Sequence, residues 1–147
     1  MTNEQMQAHW DKMIHYINSA RGYAKHSGVT VTKVAEDYCE GELVITPDAC
    51  NYLGIVHGGC LATLADTVAG VAACSTGQGT VTINYGFSFL RQARGEKIRC
   101  VAEAEKAGRT VKVFRCSLFD DGGALVASGQ FTFFMTGPLD MDTLMEE

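Results

Sequence analysis

The stretch from Asn51 to Cys74, NYLGIVHGGCLATLADTVAGVAAC, restricts what this chain can fold into more than any other. It reads as a loop ending in His57-Gly58-Gly59, followed by the most apolar helix candidate of the sequence. Between Cys60 and Cys74 the side chains are those of Ala, Leu, Val and Cys, with Thr63, Asp66, Thr67 and Gly70 the exceptions. Apolar residues fall on every face, so the helix is predicted to be buried all round rather than to lie on a surface. A flat sheet covers one face of a helix, so burial on all sides calls for a sheet that curls around it, an α+β solution. Asp66 then stands out, because an ionised carboxylate in apolar surroundings costs several kcal/mol unless it is paired, hydrogen-bonded or placed at a cleft.

Composition narrows the partners. A chain of 147 residues fits one domain with a sizeable core. The formal net charge of −5, with no basic stripe, points away from nucleic acid. Six cysteines, at positions 39, 50, 60, 74, 100 and 116, form no C-x-x-C pair, and Cys50, His57 and Cys60 match no common zinc spacing. They are expected to be reduced, mostly buried thiols of a cytoplasmic protein, without a metal. Glu4, Trp10 and Asp11 break any signal-peptide pattern, and no run approaches the ~20 apolar residues of a membrane span.

Taken in order, residues 3–20 place Met6, Trp10, Met13, Ile14 and Ile17 at helical spacing, and Thr2 with Gln5 is a candidate capping box. Val29–Ala35 and Tyr38–Thr46 read as a hairpin. The organising loop and a helix over about 58–75 follow, closed by Gly77 and Gly79. Four strand candidates complete the core at 80–90, 97–106, 110–119 and 124–136, and their short connections suggest an antiparallel meander. The acidic tail GPLDMDTLMEE is expected to be frayed or loosely docked. A free edge at the last or longest strand would pair with a second subunit.

The pattern N-x-x-G-x-x-H-G-G, followed by an apolar helix carrying Asp66, resembles the hotdog-fold acyl-CoA thioesterases, and within them the phenylacetic-acid-degradation (PaaI-like) branch. The segment VTINYGFSFLRQARGE is similar to that family's strand after the helix, with Gln92 where proline is usual. By order of elements the resemblance covers about residues 28–136. It implies a hotdog fold, a curved antiparallel sheet wrapped around one long helix. It also implies a homodimer or homotetramer whose active sites lie at the subunit interface, and hydrolysis of a small, medium or aryl-acyl CoA thioester without cofactor or metal.

Site residues follow from the resemblance one by one. The Gly58 amide, at the start of the helix where N–H groups are free, would stabilise a developing oxyanion, with Gly59 beside it; two glycines also simply permit a tight entry turn. Asp66 would act as general base or as nucleophile, and the pattern does not separate the two. Eight residues of helix set it about 12 Å from Gly58, so the two would meet only across subunits. Asn51 would hold the attacking water or the thioester, or else serve as a turn residue. His57 would orient the carbonyl, or merely cap the helix. Thr82 would lie near the acid, which Thr63 or Thr67 could also satisfy. Arg91 is the foremost candidate for the CoA phosphates, with Arg94, Lys97, Lys106 and Arg109 further choices. The rival readings are a non-catalytic acyl-CoA sensor and an acyl-thioester hydratase or dehydratase.

Overall fold

A computed structural model describes residues 1–146. The elements in chain order are helices α1 (Asn3–Ser19) and α2 (Tyr23–His26), strands β1 (Val29–Ala35) and β2 (Tyr38–Val44), helix α3 (Gly58–Cys74), strands β3 (Gln78–Phe89), β4 (Lys97–Ala107), β5 (Val111–Phe119) and β6 (Leu125–Pro138), and helix α4 (Met141–Glu146). All strand pairs are antiparallel and form one sheet in the order β1-β2-β4-β5-β6-β3. The sheet curves around α3, as the resemblance implies. No helix among the described residues is long and apolar enough to cross a membrane.

The core lies between α3 and the sheet. Leu64, Ala65, Val68, Ala69 and Ala72 are fully buried against Phe114, Phe131, Phe133 and Leu118. Gly41 lets α3 come close, since a Cβ there would stand 2.6 Å from Val68 Cγ2. Burial of α3 is not complete, however. Ala62, Thr63, Asp66, Thr67 and Gly70 form a partly open stripe, and the small and polar residues of the helix collect on it. All six cysteines are free thiols, with Cys39, Cys100 and Cys116 buried.

The four later strands do not form a simple meander. Strands β4, β5 and β6 do, but β4 also pairs with β2, while β3 lies at the far edge beside β6. Residues 90–96 therefore carry the chain across the ends of β6 and β5. Three strand spacings are about 14 Å, and seven extended residues span roughly 23 Å or more. A short connection thus permits pairing of neighbours without enforcing it.

The two sheet edges differ. Helix α1 begins with the capping box of Thr2 and Gln5 and buries Met13. Its Asn18 side chain exchanges two hydrogen bonds of 2.8 Å with the backbone of Val31, occupying the outer edge of β1. Strand β3 has no such cover among the described residues, and Val81, Ile83, Tyr85, Phe89 and Leu90 are each 51–56% exposed. The tail is more ordered than its composition suggests. Met141 is buried and Lys12 reaches Asp142 at 3.1 Å, which docks α4 on α1.

The C-terminal end of α3 is anchored by a buried lysine. Lys112 of β5 donates to the Asp37 carboxylate at 2.5 Å, to Thr76 Oγ1 at 3.0 Å and to the Ala73 carbonyl at 3.2 Å. All three ammonium donors are used, and the positive charge meets the negative end of the helix dipole. Asp37 sits at the β1–β2 turn with φ of 48°, and its amide donates to Ser75 Oγ at 2.7 Å.

Candidate active site

The loop before α3 closes on itself. The Asn51 side-chain oxygen accepts from the amides of Leu53 (2.9 Å) and Ile55 (3.2 Å), and Gly54 takes the positive φ of 77° that the turn needs. His57 donates its amide to the Ala49 carbonyl at 2.8 Å. The loop thereby delivers His57 to the start of the helix in one orientation.

His57 is the N-cap of α3, and its Nδ1 accepts from the Gly59 amide at 2.8 Å. In the neutral ring this bond assigns the proton to Nε2, which faces away from the helix. Cys60 and Leu61 donate to the His57 carbonyl, at 2.9 and 3.2 Å. Of the first-turn amides, that of Gly58 has no acceptor among the described residues. A Cβ at Gly58 would stand 3.2 Å from the ring of Phe89, so glycine is what lets β3 close over the helix start. Gly58 lines a cavity of about 430 Å³ whose rim carries Arg91.

Two turns further along, half-buried Asp66 is held by Thr82 of β3, whose hydroxyl donates to Oδ1 at 2.7 Å. Thr63 does not serve this purpose, because its hydroxyl donates to the Gly59 carbonyl at 2.8 Å. A bulge between Thr82 and Asn84 sets which side chains of β3 face α3. Thr82 points to the helix before it, while Tyr85 after it stacks on buried Phe131 at 4.9 Å.

Two cavities meet at the Asp66–Thr82 bond. One, of about 690 Å³, runs toward Gly59 and is lined by Tyr23, Thr63, Asn84 and Tyr85 among others. The other, of about 380 Å³, runs toward the C-terminal end of α3 and is walled by α1 and α4. The structure therefore groups Asp66 with Thr82 and Gly59, and Gly58 with Arg91. His57 shares a third cavity with Cys50, Cys60 and Gly59, whereas Asn51 lines none of these and holds the loop. The sequence reading expected the N-terminal helix to help close the pocket, as Met13, Tyr16 and Ile17 do, but missed the contributions of α2, of Asn84 and of α4.

Two of the thiols nearby are disfavoured as thiolates. Burial pushes Cys60 up, with Cys50 adding to it, and burial pushes Cys74 up to about 11. Both stay protonated near neutrality.

Comparison with known proteins agrees with this picture. The sequence profile of the thioesterase superfamily matches residues 53–127. Mouse acyl-coenzyme A thioesterase 13 is 30% identical over 108 residues, which cover 71% of this chain and 77% of that protein. A thioesterase protein of Streptococcus pneumoniae, solved with coenzyme A, superimposes with a TM-score of 0.72 at 26% identity, over 76% of this chain and 91% of its own. Two further structures of it carry an aspartate or a threonine changed to alanine, at positions sixteen apart, the spacing of Asp66 and Thr82 here. The PaaI protein of Escherichia coli shares the fold, with a TM-score of 0.83 at 20% identity over 94% of this chain and 99% of its own.

Proposed function

The chain belongs to the thioesterase superfamily, and from that premise we propose that it hydrolyses an acyl-CoA thioester to the free acid and CoA at Asp66. The observation that carries the reading is the Asp66 carboxylate, fixed by Thr82 at 2.7 Å where a cavity of mixed lining and a more apolar one join. The names of the mouse and streptococcal relatives support the substrate class.

The functional unit is a pair of chains. Gly58 and Asp66 line different cavities of one protomer and lie about 12 Å apart along α3. The uncovered β3 edge, with its apolar side chains, fits a second copy of itself and favours a two-fold arrangement. Gly58 of one protomer then faces Asp66 of its partner.

With Oδ1 held by Thr82, Oδ2 of Asp66 takes a proton from a water as that water attacks the thioester carbonyl carbon. The negative charge that develops on the carbonyl oxygen meets the unpaired Gly58 amide, at the positive end of α3. Breaking the carbon–sulfur bond releases the CoA thiolate, which takes up the proton from Asp66. His57 Nε2–H orients the carbonyl, Asn51 secures the loop that carries His57, and Gly59 locks the ring through its amide. Arg91, which makes no ion pair among the described residues, meets the CoA phosphates.

The test is turnover of acyl-CoAs from acetyl to long-chain and aryl-acetyl by wild type and Asp66→Ala. Loss of about 10²-fold or more in kcat with the fold intact is expected, since base catalysis alone is worth that much. Binding without turnover would make the protein a sensor, and water addition to an enoyl thioester would make it a hydratase.

A further inference from the structure

Three residues line both the outer cavity of mixed lining and the inner one walled by α1 and α4, namely Asp66, Thr67 and Thr82. Asp66 and Thr82 are joined, since the Thr82 hydroxyl donates to Oδ1 at 2.7 Å. Thr67 is different. A threonine inside a helix can turn its hydroxyl back to the carbonyl four residues earlier, as Thr63 does to Gly59 at 2.8 Å. The hydroxyl of half-buried Thr67 makes no hydrogen bond among the described residues. Nothing in the fold thus requires a hydroxyl there, and valine would fill the same space.

An attacking water needs two partners. One proton goes to Asp66 Oδ2, and the other O–H must find an acceptor if a lone pair is to stay aimed at the thioester carbon. Asn51, which the sequence suggested for this task, has no acceptor to offer. Its side-chain oxygen already accepts from the amides of Leu53 and Ile55, and it lines neither cavity. We propose that Thr67 Oγ1 accepts the second O–H of the water that Asp66 deprotonates, which makes Thr67 a further catalytic residue. The inference rests on the reading of Asp66 as general base in thioester hydrolysis. Successive helical residues stand about 100° apart around the axis and do not face each other, so a bridging water, and no direct bond, joins Asp66 to Thr67. Thr67 keeps its own proton throughout. The first proton of the water passes through Asp66 to the CoA thiolate as the carbon–sulfur bond breaks, and the second stays on the new carboxyl group.

The experiment takes the acyl-CoA of the panel above that wild type turns over fastest and compares wild type with Thr67→Val and Thr67→Ser. Misplacing a reacting group costs up to about 10²-fold. Thr67→Val is expected to lower kcat at least tenfold while KM and the melting temperature stay in place. Its affinity for the ketone analogue of that acyl-CoA, in which a methylene replaces the thioester sulfur, is expected to match wild type by calorimetry. Thr67→Ser keeps the acceptor and should stay within threefold of the wild-type kcat. A Thr67→Val enzyme within threefold of wild type overturns the proposal. So does a loss that appears in KM, in analogue affinity or in melting temperature, or one that Thr67→Ser shares in full. Asp66→Ala, measured alongside, separates the two readings. If it loses kcat while Thr67→Val does not, the assignment of Thr67 alone fails. If it matches wild type, or if wild type hydrolyses no acyl-CoA, the hydrolase reading fails and this inference with it.

Discussion

Replacing Thr82 by valine removes one hydroxyl from the site and keeps the shape of the side chain. What is lost is a hydrogen bond of 2.7 Å to Asp66 Oδ1. Hydrogen bonds to charged groups contribute about 1.5–3 kcal/mol. If the bond holds the carboxylate in its reactive orientation, that energy appears in the barrier, and kcat falls by about 10- to 150-fold. Thr82→Ser keeps the donor and should recover most of the rate. The double variant Asp66→Ala/Thr82→Val is expected to be no slower than Asp66→Ala, because without the carboxylate the hydroxyl has nothing to position; contacting residues that act together are non-additive. The assay is loss of the ultraviolet absorbance of the thioester, which the six protein thiols do not disturb as they would a disulfide-exchange dye. Circular dichroism and melting temperature check the fold. A Thr82→Val enzyme within threefold of wild type, or a double variant slower by the product of the two single effects, would refute the reasoning.

Three other outcomes test the scaffold. Lys112→Met leaves the Asp37 carboxylate without its buried partner and the end of α3 without its cation, and urea denaturation should show a loss of about 3–5 kcal/mol. Burial raises the thiols of Cys39, Cys74 and Cys100, that of Cys74 from 9.0 to about 11. The unfolded chain therefore gives up these protons first, so stability is fully present below about pH 9 and is lost as pH climbs through the folded values. The contribution of Cys74 is at most about 3 kcal/mol. Melting temperature should decline from about pH 9 upward and decline less in Cys74→Ala; a flat profile to pH 11 would contradict the burial argument. Ile83→Lys places a charge on the exposed β3 edge. Analytical ultracentrifugation should then show monomers, with hydrolysis lost in proportion, whereas an active monomer would remove the shared-site proposal.

The legible parts of this protein were those encoded by local periodicity and by chemistry out of place. Helix α3 announces itself through a fifteen-residue stretch in which eleven side chains are Ala, Leu, Val or Cys, α1 through a capping box and a 3.6-residue stripe, and the strands through alternation. Each pattern is set by neighbours a few residues apart. Asp66 was visible for the opposite reason, as a charge whose cost demanded a partner or a cleft. Resemblance to a family, rather than spacing, suggested Thr82 beside it.

Tertiary structure decided what depends on residues distant in the chain. The order of strands placed β3 beside β6 and left its outer edge open, which a seven-residue connection permits but does not impose. That placement brought Thr82, not Thr63, to Asp66. Curvature of the sheet left one stripe of α3 uncovered, where composition alone suggested burial on every side. Docking of α1 and α4 across that stripe made the inner cavity, although each reads in isolation as a packing helix or a loose acidic tail. Lys112 looks like any strand lysine until β5 brings it under the end of α3. The identity of α3 and its acid was thus written locally, while the surroundings that hold Asp66 come from long-range pairing, because a local pattern carries no record of which distant surface will meet it.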